Sequence, residues 1–256
     1  MKILVIGDII GKSGLERVKQ DLPKLIETEK IDFVIANGEN ISEGMGITEK
    51  DYKELLTMNI DVVTLGNHTW AKKDVFNIIG EERLIRPANY PQNVPGHGYG
   101  IYGLNGKKIA VINLIGRVEM SVLSENPFLM ADNIISKIKK DVDVIIVDFH
   151  AEATAEKKAM GYYLDGKVAI IFGTHTHVQT ADEQILPNGT AYITDVGMTG
   201  AKNSIIGMEI EASTKRFVTS LPERYKVASG DTIFNGAIFK INDETNQIET
   251  INRINC

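Results

Sequence analysis

Short runs of apolar, mostly β-branched residues recur along the chain, and the stretches between them carry helical spacing or helix-favouring composition. Residues 3–6, 33–36, 62–65, 109–114, 144–147, 168–172 and 191–194 do not alternate with polar positions, so they read as strands buried on both faces. Residues 15–29, 49–58, 72–79, 131–140 and 153–163 read as helices. Thr48, with Asp51 three positions on, marks the start of the second helix, and Pro23 is placed to kink the first. This alternation predicts a layered α/β fold. The last third departs from it. Residues 210–230 have no clear period, while 233–241 and 247–254 read as two strands of a hairpin turning through 242–246. Residues 86–102, with three prolines, form the longest loop-like stretch. No repeat, linker or low-complexity tract divides the chain, so residues 1–256 are read as one domain.

Composition narrows the field. The chain has 28 basic and 34 acidic residues, a net charge of −6, which argues against a surface that coats extended nucleic acid. A small phosphorylated substrate remains compatible, because a metal can supply positive charge locally. The one cysteine, Cys256, permits neither an intrachain disulfide nor a thiolate metal site. The first apolar run ends at Asp8, short of a signal peptide, and no stretch approaches the roughly 18 apolar residues of a membrane span. A cytoplasmic protein without membrane partners is the expectation. The sequence leaves a homo-oligomer open.

The polar residues are informative for where they fall. Strand one ends in Gly7-Asp8, strand two in Asn37-Gly38-Glu39-Asn40, and strand three in Gly66-Asn67-His68-Thr69-Trp70. Two later strands end in Asp148-Phe149-His150 and Gly173-Thr174-His175-Thr176-His177. Ligands of layered α/β proteins bind at the carboxyl ends of strands, and four of the five histidines lie there. An extended His-x-His points its rings apart, whereas a turn after the strand lets both converge. Asp8, Glu39, Asn40 and Asn67 add oxygen donors, and a nitrogen–oxygen set without sulfur suits iron, manganese or zinc. A lone Asp at a strand end is more often a cap or turn-former, so the inference rests on five strand ends together.

Other features read more plainly. His97 is a loop residue. Residues 7–13 fail as a phosphate-binding P-loop, with three residues between the glycines instead of four. Gly11 and Gly14 then read as turn residues beside Asp8. Arg117 is placed either to reach a phosphate or to sit in solvent. Asp195 to Gly200 forms either a pocket lining or an ordinary glycine turn. Asp148 either orients His150 or ends its strand, and Trp70 is by default a packing residue.

Gly66-Asn67-His68, the isolated His150 and His175-Thr176-His177 resemble the motifs of the calcineurin-like metallophosphoesterases. Ile10, Thr69 and Glu39 depart from the common pattern. With Gly7-Asp8-Ile9-Ile10-Gly11 and residues 148–154, they are similar to a bacterial branch of 2′,3′-cyclic nucleotide 2′-phosphodiesterases. The resemblance implies a two-sheet β-sandwich flanked by helices, in four layers αββα. It implies two metal ions, iron foremost with manganese or zinc as alternatives. One would be held by Asp8, Glu39, Asn40 and His177, the other by Glu39, Asn67, His150 and His175. Small phosphodiesters, above all 2′,3′-cyclic nucleotides, would be hydrolysed by a hydroxide bridging the metals, with His68 as proton donor. A metal-dependent signalling or binding protein with incidental hydrolysis, and a phosphomonoesterase, would need the same ligands.

Overall fold

The computed structural model describes residues 1–256. Each predicted apolar run forms a strand, and the strands sort into two six-stranded sheets. The first runs β15 (Ile248–Asn255), β14 (Asn235–Ile241), β1 (Lys2–Ile6), β3 (Phe33–Asn37), β4 (Val62–Thr64), β5 (Leu84–Ile85). The second runs β10 (Gln184–Ile185), β11 (Ala191–Ile193), β9 (Ile170–Thr174), β8 (Val144–His150), β7 (Lys107–Ile115), β6 (Tyr99–Leu104). A small third sheet, β13 (Thr232–Ile233), β12 (Met198–Ala201), β2 (Asp8–Ile9), continues from the end of β1.

The continuous apolar runs are explained by two-sided burial. Ile3, Val5, Phe33 and Ile35 meet Ile109, Val111, Val144, Ile146 and Phe172 between the sheets. Their neighbours Leu4, Ile6, Val34 and Ala36 face outward, against Leu15, Val18 and Leu22 of α1 (Gly11–Glu29) and Leu55 of α2 (Glu49–Thr57). On the far side, Ile112, Leu114, Ile145 and Val147 meet Ile134, Ile135 and Ile138 of α3 (Pro127–Ile138) and Met160 and Leu164 of α4 (Thr154–Leu164). The result is the four-layer αββα sandwich. The parallel core strands β1, β3, β4 and β7, β8, β9 bring their carboxyl ends to one side.

Several elements differ from expectation. α1 starts at Gly11, four residues early, because Gly-Lys-Ser-Gly carries no helical signal; Pro23 sits within it and the helix continues to Glu29. Gly14 is therefore not a turn residue. A Cβ there would lie 2.3 Å from the carbonyl oxygen of Thr199, so Gly14 lets α1 approach β12. The stretch 72–79 forms a 3₁₀ helix at Lys73–Asn77 instead of an α-helix. α3 begins at Pro127, with Asn126 Oδ1 accepting from the Phe128 backbone N–H at 2.9 Å. The loop-like stretch 86–102 ends inside the edge strand β6, whose glycines mask its pattern. Residues 210–230 contain α5 (Ile210–Thr219), whose apolar Ile210, Phe217 and Val218 recur at helical spacing but face solvent, with only Ser213 buried. The terminal hairpin, the capping box at Thr48 and Asp51, and α2 form as expected. No helix is long and apolar enough to cross a membrane.

Candidate metal centre

The strand ends converge. Asp8 follows β1, Glu39 and Asn40 follow β3, Asn67 and His68 follow β4, His150 ends β8, and His175 and His177 follow β9. Asp8, Glu39, Asn40 and His150 are fully or almost fully buried. Glu39 lies at the middle. Its Oε2 accepts from the His68 backbone N–H at 2.9 Å, and its Oε1 lies 3.0 Å from His150 Nε2. Burial alone would raise the Glu39 carboxyl, but His150 and His68 hold it down to about 2.

The turn expected after β9 is present. His175 and His177 have φ of 101° and 65°, in the left-handed region, where a non-glycine residue costs about 1–3 kcal/mol. This backbone turns His175 Nδ1 to within 3.0 Å of His150 Nε2 and His177 Nε2 to within 3.2 Å of Asn40 Nδ2. The two imidazoles thus address neighbouring positions instead of opposite ones.

Each histidine has its outer nitrogen engaged. The Thr174 hydroxyl donates to Asp148 Oδ1 at 2.7 Å, so its oxygen accepts from His150 Nδ1–H at 2.9 Å. Asp148 therefore orients His150, through Thr174. His175 Nε2 donates to Glu152 at 3.1 Å and His177 Nδ1 to the Ile206 carbonyl at 2.9 Å. The inner nitrogens are left to the centre, the arrangement by which outer partners fix the tautomer of metal-binding histidines. Around His150 Nε2 stand three acceptor atoms: Asn67 Oδ1 at 2.9 Å, Glu39 Oε1 at 3.0 Å and His175 Nδ1 at 3.0 Å. Burial would strip the His150 proton, yet Glu39, Asp8 and Asp148 keep it up to about 9, while burial and His150 push His175 down to about 3. One proton holds together four donor atoms that match the needs of a divalent cation. Glu39, His150 and His175 also offer ligand atoms all within 4.8 Å of one another.

The second set of expected ligands, Asp8, Glu39, Asn40 and His177, is closed differently. Asn40 directs Nδ2 at Asp8 Oδ1 (3.3 Å), Glu39 Oε1 (3.5 Å) and His177 Nε2 (3.2 Å), with its Oδ1 2.8 Å from His68 Nδ1. An amide rotated by half a turn would present the oxygen there. Burial pushes the Asp8 carboxyl up, opposed by His177 and His150.

The remaining candidates settle plainly. His97 lies in its loop, 3.2 Å from the Gly80 carbonyl. Trp70 packs against Phe76 and Tyr90. Arg117 is exposed, its backbone N–H held by Glu156. Asp195 is neither pocket lining nor an ordinary turn residue, since it forms a buried ion pair with Lys157. Glu152, Thr174 and the Ile206 carbonyl escaped the sequence reading. Glu152, two residues after His150, and Thr174, directly before His175, had positional signals; the Ile206 carbonyl had none.

A family model of YmdB-like proteins matches residues 4–254. A Bacillus subtilis protein named 2′,3′-cyclic-nucleotide 2′-phosphodiesterase is 50% identical over 99% of this chain and 96% of its own length. A Mycoplasma pneumoniae structure described as a novel phosphatase superposes with a TM-score of 0.95 at 37% identity, covering 100% of this chain and 93% of that one. The Haemophilus influenzae NAD nucleotidase shares the fold, with a TM-score of 0.60 at 16% identity over 99% of this chain and 55% of that one. With the family model spanning nearly the whole chain and a relative half identical to it over nearly its full length, the chain belongs to the YmdB-like family.

Proposed function

We propose that this chain is a two-metal phosphodiesterase whose substrates are small phosphodiesters, 2′,3′-cyclic nucleotides first among them. The observation that carries the proposal is the cluster of acceptor atoms around His150 Nε2, each outer histidine nitrogen already engaged. One ion would be held by Asp8, Glu39, Asn40 and His177, and the other by Glu39, Asn67, His150 and His175. The nitrogen–oxygen set suits iron, with manganese and zinc as alternatives. Bound there, such ions polarise a phosphoryl group and make attack by water feasible near neutral pH.

The chain's own residues supply the rest. Glu39, ionised at working pH, belongs to both ligand sets and fixes their spacing. His68 keeps part of its side chain in solvent and has Nδ1 against Asn40, so Nε2 is free to give a proton. As water adds to phosphorus, the bond to the 2′ oxygen breaks. That oxygen takes the proton from His68, the attacking water gives up a proton to solvent from which His68 regains its own, and a nucleoside 3′-phosphate remains. The name of the Bacillus subtilis relative supports this choice of substrate and bond.

The test uses protein stripped of metal and reloaded separately with Fe²⁺, Mn²⁺ or Zn²⁺. Turnover of 2′,3′-cyclic AMP to 3′-AMP by a reloaded form, and none by the stripped form, is expected. Equal turnover with and without metal, or release of 2′-AMP, would overturn the assignment.

A further inference from the structure

Beneath the His175–His177 turn lies a buried ion pair that the reading above does not use. Lys157, on α4, is 1% exposed, and its Nζ is 2.6 Å from Oδ2 of the equally buried Asp195. The same ammonium donates to the Thr174 carbonyl at 2.8 Å. Asp195 Oδ2 also accepts from the Thr176 backbone N–H at 3.1 Å and from its hydroxyl at 2.8 Å. Oδ1 accepts from the Gly197 N–H at 2.8 Å, and the Gly197 carbonyl accepts from the Asp8 N–H at 3.0 Å. One pair of charges therefore grips the backbone beside His175, His177 and Asp8.

Such a pair is a poor stability device, because desolvating two charges offsets their attraction and apolar replacement of both is often neutral or stabilising. What it provides is several short, directional bonds converging on one stretch of chain. The stretch requires them, since both histidines hold left-handed backbone that side chains rarely adopt. The contribution of the pair is to geometry.

We propose that Lys157 and Asp195 are positioning residues that hold His175, His177 and, through Gly197, Asp8 in the arrangement that binds metal. The proposal rests on the metal reading of the site. It predicts that metal affinity depends on the pair more steeply than folding does.

The experiment compares wild type with the double variant Lys157→Met/Asp195→Asn, which removes both charges while keeping their approximate volumes. Thr176→Val serves as a milder variant that leaves the ion pair intact and deletes one hydroxyl. Mn²⁺ is titrated calorimetrically into metal-stripped protein, and thermal melts are recorded with and without Mn²⁺. The expected result is a metal-free melting temperature close to wild type for both variants. Mn²⁺ binding should be about 10- to 100-fold weaker in the double variant, the usual penalty for losing an outer partner of a metal site. Thr176→Val should lose affinity in the same direction to a smaller extent, and it decides the question if the double variant does not fold. Wild-type Mn²⁺ affinity in the variants that fold, with only the melting temperature lowered, would overturn the proposal. A wild-type chain that itself binds no divalent metal would overturn the metal reading, and this inference with it.

Discussion

In the proposed ligand sets Glu39 would be shared by two cations, and an amide of the same shape would bring hydrogens to one of the two positions where a cation needs a lone pair. Glu39→Gln is therefore expected to keep native circular dichroism, retain less metal by elemental analysis, and lose turnover of 2′,3′-cyclic AMP below detection. His68 should behave otherwise. A general acid matters when the leaving group is a poor one, so His68→Ala should keep both metals and lose roughly 10²–10⁴-fold on a ribose-alkoxide substrate. On bis-p-nitrophenyl phosphate, whose phenolate leaves unaided, the loss should be much smaller. An equal penalty on both substrates would make His68 an orienting residue. The protonation of His150 gives a third expectation. Its imidazole is held up to about 9 in the metal-free chain, so below that pH a metal must displace a proton to bind. Apparent Mn²⁺ affinity should then rise about tenfold per pH unit between roughly 6 and 8 and level off above 9. Calorimetry at several pH values checks the slope, and a flat profile would place the proton elsewhere.

The elements matter for how they end. A Cβ on Gly66 would sit 2.3 Å from His150 Nε2 and 2.5 Å from Glu39 Oε2, closer than real atoms approach. Gly66→Ala is expected to displace the turn that carries Asn67 and His68, leaving a folded protein with a weakened metal site. Mn²⁺ titration beside circular dichroism separates that outcome from simple unfolding. Strand ends were also where sequence and structure agreed best. Asp8, Glu39, His150, His175 and His177 were legible because each follows a continuous apolar run, and such runs are unambiguous when both faces are buried. The Lys157–Asp195 pair was not legible, since its partners are 38 residues apart and Lys157 looks like any solvated helix lysine. α5 was hidden for the opposite reason. Ile210, Phe217 and Val218 share one helix face, but they are few and face solvent, and the polar residues between them blur the period.

Across the whole molecule, the alternation of runs and helical stretches gave the layers but not the strand order. Order is decided by long-range pairing that no local pattern encodes. The clearest case is β1, which lies between β3 and β14, with Leu4 opposite Val34 on one side and Ile238 on the other. The latter pairing joins residues 234 positions apart, and Met1 reaches the Ile241 carbonyl at 2.8 Å. During synthesis, β1 emerges ahead of both its partners and waits until β14 has been made before its second edge is covered. Pairings of such separation are slow to form and leave an unpaired strand edge exposed meanwhile. A chain stopped after Gly230 should show no cooperative thermal transition, because β1 and the apolar face beside it stay open. In the nascent protein, then, Asp8 is among the first proposed ligands translated, yet the strand that delivers it cannot be fixed in place until almost all the others have emerged.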